Sequence, residues 1–146
     1  MITKKSVLND EQKSWMYKAT LRVLLTDNID KTEMHSVQEA MGFLGMDVNL
    51  NTIMDLINNK ETLLSLEEPE WSYEVSFAIA DQCIAATVLD GVLSRTECTE
   101  LGKILRLLQF NSSAVKQIVD WGVSLSQCYS EGAKLQKNLH RYHAKE

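Results

Sequence analysis

An all-α fold, a single domain of about seven helices built from two similar helical halves, is predicted by three features of the sequence. The 146 residues contain six Gly and one Pro, too little turn chemistry for a many-stranded β architecture. Apolar residues return at spacings of three and four, the period of an amphipathic helix. The chain also matches itself at an offset of 64 residues.

Asn9 with Gln12 at the N3 position starts a first helix, which Met16, Leu21, Val23, Leu24 and Leu25 carry towards Asp27. After the turn Thr26 to Ile29, Asp30 is placed as N-cap with Glu33 at N3. Met34, Val37, Met41 and Leu44 then share one face of a second helix, which Gly42 and Gly45 close. Asn49 or Asn51 caps a short third helix with Ile53, Met54 and Ile57 turned inward, stopped by Asn58 and Asn59. Residues 60 to 70 form a polar connection, with Pro69 suited to the first turn of the next helix.

That fourth helix, about Glu70 to Leu89, is apolar nearly all round and belongs at the centre. Past Asp90 and Gly91, Ser94 is N-cap with Glu97 at N3, and Cys98, Leu101, Leu105 and Leu108 repeat the stripe of the second helix. Asn111 or Ser112 caps a short helix with Val115, Ile118 and Val119. Beyond Gly122 a last helix runs on Leu125, Cys128, Gly132, Leu135, Leu139 and Tyr142. The offset of 64 pairs Ile29 with Leu93, Asp30 with Ser94 and Glu33 with Glu97, and lays the stripe from Met34 to Leu44 on that from Cys98 to Leu108. The repeat is therefore placed at about residues 10–60 and 74–124, with the C-terminal helix at about 123–143.

Charge and composition narrow the function classes. Fifteen basic and twenty acidic side chains give a net charge of −5, which disfavours a general nucleic-acid partner. The imbalance lies in residues 1–73, with 7 basic against 12 acidic, whereas residues 74–146 carry 8 of each. No apolar run reaches the ~18 residues of a transmembrane segment. The first dozen residues lack the apolar stretch of a secretory leader, and three Cys without a CxxC pattern suit a reducing compartment. A cytoplasmic location is the expectation.

The stretch Ala85-Ala86-Thr87-Val88-Leu89-Asp90-Gly91-Val92-Leu93-Ser94-Arg95-Thr96-Glu97 ends a buried helix and begins an amphipathic one. It resembles the signature of the TerB-like family: Ala-Asp-Gly, a small or apolar residue, Ser, two residues, Glu. That family includes tellurite-resistance proteins and the N-terminal part of a DnaJ-like membrane co-chaperone. The resemblance covers about residues 10–143 and makes Asp90, Gly91 and Glu97 the family-like positions. In the first half Thr26 falls under Asp90 and Asp27 under Gly91, a departure from the motif. The resemblance implies two similar helical halves and a role in tellurite or general stress response through protein partners, including membrane-associated ones.

Few side chains suggest chemistry directly. Counting Asp27 or Asp90 as position 1 of an EF-hand loop puts Gln38 or Leu101 at position 12, where a bidentate Glu is required. Helix capping accounts for Asp30 and Glu33. Asp81, mid-helix among apolar residues, calls for a partner or a cleft. His140 and His143 lie three apart in a basic helix end, a weak metal pattern, and His35 reads as a helix-surface residue. Cys83, Cys98 and Cys128 fall on apolar faces and read as buried, inert thiols, and the three Trp as packing residues. Two functions follow. One is a non-enzymatic interaction module of the TerB-like type. The other is a metal-dependent regulator or small enzyme with a divalent cation held by Asp81, Asp90 and Glu97.

Overall fold

Local sequence signals begin the first helix, α1 (Asp10–Leu24): the Asn9 Oδ1 accepts from the Gln12 backbone N–H at 2.8 Å while the Gln12 side chain accepts from the Asn9 N–H at 2.9 Å. The structure, a computed structural model, describes residues 8–26, 34–46, 50–59, 65–89, 91 and 93–143. Among them are five further helices: α2 (Met34–Phe43), α3 (Leu50–Asn58), α4 (Tyr73–Val88), α5 (Arg95–Leu107) and α6 (Ser112–His143). No strand occurs among the described residues. The fold is all-helical and forms one domain around one core.

As its composition demands, α4 is central. Ala78, Ile79, Ala80, Cys83, Ile84, Ala86 and Val88 are buried, and the helix packs on α1, α2 and α6. Its main partner is α1, where Met16, Ala19, Thr20 and Val23 are buried and the Thr20 hydroxyl meets the Cys83 sulfur. Around this pair, α1 also packs on α2 and α5, and α5 packs on α6. In α2, Val37, Met41 and Leu44 are buried, and in α5 so are Leu101, Leu105 and Leu108. In α3, Ile53 is buried and Ile57 half-buried. Met54 is exposed, one step round the helix from the line joining those two.

Two expected boundaries are corrected. Helix α4 begins at Tyr73 rather than near Glu70, because Ser72 caps it by accepting from the Val75 N–H at 3.3 Å. Pro69 therefore lies in the irregular segment before it. The chain also does not break at Gly122: α6 is one helix of 32 residues where two were expected, which reduces seven helices to six among the described residues. Gly122 is buried, and a Cβ there would come 3.4 Å from both Ile84 and Leu93. That glycine lies inside the helix and does not mark its end.

Both α2 and α5 end in the same cap. The Met46 N–H donates to the Met41 carbonyl and the Gly45 N–H to that of Gly42. In parallel, Phe110 donates to Leu105 and Gln109 to Arg106. These are Schellman motifs with left-handed residues Gly45 at φ 88° and Gln109 at φ 72°.

Candidate functional site

Of the acidic residues singled out as a cation site, Asp81 and Glu97 are among the described residues. Glu97 completes a capping box: its carboxylate accepts from the Ser94 N–H at 3.0 Å, and its own N–H donates to the Ser94 hydroxyl at 3.1 Å. Asp81 is half-buried on α4. Asp90 lies outside the described residues, as do Asp30, Glu33 and Asn49 and the side chains of His35, His140 and His143. No group of three or more His, Cys, Asp or Glu is placed to hold a metal ion among the described residues.

The cysteines differ from one another. Cys83 is buried between α4 and α1, its sulfur 3.2 Å from the Thr20 hydroxyl, which also lies 2.9 Å from the Met16 carbonyl. Burial pushes this thiol up to about 12, with the Thr20 contact acting in the opposite direction. Cys98 is half-buried, and its thiol is raised by desolvation and then by the charges of Glu97 and Asp120. Cys128 is exposed, which corrects its assignment to a buried face: no described helix covers α6 there.

Sequence reasoning missed an ion pair between the helices. The Arg22 Nε of α1 donates to Glu100 Oε1 of α5, and Lys103 Nζ lies 3.4 Å from the other oxygen of Glu100. Arg22 and Glu100 are largely shielded, with side chains 13% and 12% exposed. Their signal was a charged residue directly beside a buried stripe position, Leu21 and Leu101 respectively; nothing in the sequence paired them.

Also unforeseen was a groove of about 430 Å³ between the first turns of α1 and the irregular segment of residues 65–71. Trp15 and Trp71 meet edge to face there, centroids 5.7 Å apart, and the Trp15 indole N–H donates to the Glu67 carbonyl at 3.0 Å. Exposed Glu11, Glu67, Glu68 and Glu70 line the groove together with Lys18. Four of the twelve acidic side chains of the first half thus lie beside an aromatic pair. No family model, curated protein or solved structure matches the chain.

No described helix is long and apolar enough to cross a membrane.

Proposed function

We propose that the chain is a non-enzymatic interaction module of the TerB-like type, working in tellurite or general stress response by binding a basic segment of a protein partner. The observation that carries this reading is the groove of four carboxylates and one lysine around Trp15 and Trp71. Each exposed carboxylate contributes little alone, but several around a concave site focus their field on a cationic ligand. An aromatic wall adds attraction for Lys or Arg side chains lying against it. The motif from Asp90 to Glu97 supports the family reading, and its Ser94 and Glu97 act in helix capping.

The test is a tryptophan-fluorescence titration of the full chain with a lysine- and arginine-rich peptide of about ten residues. Saturable binding that weakens about tenfold or more in Glu67→Gln/Glu68→Gln/Glu70→Gln, and weakens with added salt, is expected. Equal affinity of the triple variant would remove the groove as the binding surface.

A further inference from the structure

Among the described side chains of α6 the last buried one is Ser126; from Gln127 to Leu139 every side chain is exposed except the half-buried Ser130. The helix continues to His143. At 1.5 Å per residue it projects about 25 Å beyond the body. Three large apolar side chains stand open on this projection: Tyr129 at 53% exposure, Leu135 at 57% and Leu139 at 56%. A helix segment of this length receives little support from propensity alone.

Leu125, Cys128, Gly132, Leu135 and Leu139 follow one another at spacings of 3, 4, 3 and 4. That is the 3.5-residue period of a two-helix seam. Gly132 sits on this seam with nothing within 4 Å of where a Cβ would be, so no packing inside the chain explains it. The seam is also self-complementary in one direction only. Run antiparallel to itself about a point between residues 133 and 134, it brings Leu135 over Gly132 and Leu139 over Cys128, large against small at each level. A parallel pairing would set Gly132 against Gly132 and leave a void.

Charge favours the same arrangement. Lys134 and Lys137 lie on the side of the helix opposite the seam, while the positions flanking it are Tyr129, Glu131, Gln136 and Asn138. In the antiparallel pairing Glu131 faces Asn138 and Tyr129 faces Gln136, with no like charges opposed. A helix lying on an anionic membrane would instead carry its lysines beside the apolar stripe, within reach of the headgroups.

We infer that the projecting part of α6 pairs with the same segment of a second copy of this chain, antiparallel, with Leu135 of each copy seated over Gly132 of the other. The seam spans fewer than the three to four heptads of an independent coiled coil, so association is expected at about 10 to 100 µM.

The experiment is light scattering or sedimentation of the full chain under reducing conditions from about 10 to 500 µM. A rise towards twice the 16.6 kDa monomer mass is expected. Leu135→Glu should remain monomeric with an unchanged thermal melt, since the side chain is exposed in one copy. Gly132→Leu separates this arrangement from the alternatives. On an unpaired helix it adds a better helix former in open space, whereas in the antiparallel seam it collides with Leu135 of the other copy and weakens association at least tenfold. Leu139→Cys under mild oxidant should give a covalent dimer that Cys128→Ser abolishes. A wild-type mass that stays monomeric at the highest concentration, a dimer that survives Leu135→Glu, or a wild-type crosslink through Cys128 alone would each overturn the inference. So would a monomer that sediments with anionic lipid vesicles through this helix.

Discussion

Gly45 and Gln109 hold the same place in two helix caps, 64 residues apart, each in the left-handed region at the C′ position of a Schellman motif. The offset is the one at which the sequence repeats itself, and Met41 and Leu44 correspond to the buried Leu105 and Leu108. Only the first half has the residue that suits the geometry. In the second, Gln109 bears the left-handed strain and uses its side chain, whose Nε2 donates to the Pro69 carbonyl at 3.2 Å.

Gln109→Gly is therefore expected to stabilise the fold by about 0.5 to 1 kcal/mol, because relief of the positive φ outweighs an exposed hydrogen bond. Gln109→Ala keeps the strain and loses the bond, so it should destabilise slightly. Urea denaturation of the two variants would decide it, and a loss of stability in the glycine variant would mean that the Pro69 tie dominates.

Opposite outcomes are expected for Leu105 and Glu39. Leu105 is fully buried, and Leu105→Ala should cost about 2 to 5 kcal/mol. Glu39 is exposed on α2, and Glu39→Ala should stay within about 0.5 kcal/mol. Similar small changes at both positions would contradict the assigned helix faces.

Three helix starts were legible in the sequence because capping is local. Asn9 with Gln12, Ser94 with Glu97, and Asn111, whose side chain accepts from the Ala114 N–H at 2.9 Å, each act within one turn. Gly122 was misread as a break because a buried glycine inside a helix looks, in sequence, the same as one that ends it; its neighbours Ile84 and Leu93 come from other parts of the chain. The groove and the Arg22 to Glu100 pair were hidden for a related reason. Residues 65–71 have no periodicity to read, and an ion pair between helices depends on how those helices cross. Cys128 was misplaced because an apolar stripe says that a face wants cover without saying that this chain supplies it.

Arg22 and Glu100 should be strongly coupled. Glu100→Ala leaves a shielded guanidinium without its carboxylate and is expected to cost about 2 to 3 kcal/mol, below the figure for a fully buried pair because some solvent reaches it. Replacing both, as Arg22→Met/Glu100→Leu, should recover much of that loss. A double-mutant cycle with a coupling energy near zero would show that the pair does not tie α1 to α5.

At Glu97 the capping box and a cation site make different demands. Ser94→Ala should cost about 1 kcal/mol through loss of the cap. Glu97→Gln keeps an acceptor for the Ser94 N–H and should be nearly neutral. Calorimetric titration with Ca²⁺, Mg²⁺, Mn²⁺ and Zn²⁺ is expected to give the same result for Glu97→Gln, Asp90→Asn and the unaltered chain. A binding heat present in the unaltered chain and lost in both variants would favour the carboxylate site of Asp81, Asp90 and Glu97.

The thiol of Cys83 links stability to alkaline pH. Its folded value is raised from the ordinary 9.0 to about 12, so below pH 9 both folded and unfolded chains keep the proton and the group adds no pH dependence. Above pH 9 the unfolded chain releases its proton while the folded one holds it, and stability falls by about 1.4 kcal/mol per pH unit from this group until about pH 12. Lysines and tyrosines titrate in the same range, so the comparison must be with a variant lacking only this thiol. Cys83→Ala should be about 1 kcal/mol less stable at pH 7, from the lost sulfur contacts, yet decline less steeply as pH rises. Urea denaturation of both proteins at pH 7, 9, 10 and 11 in reductant reads the difference directly. The stability gap should narrow above pH 9 and then reverse; curves that remain parallel to pH 11 would show that the folded protein does not hold the Cys83 proton.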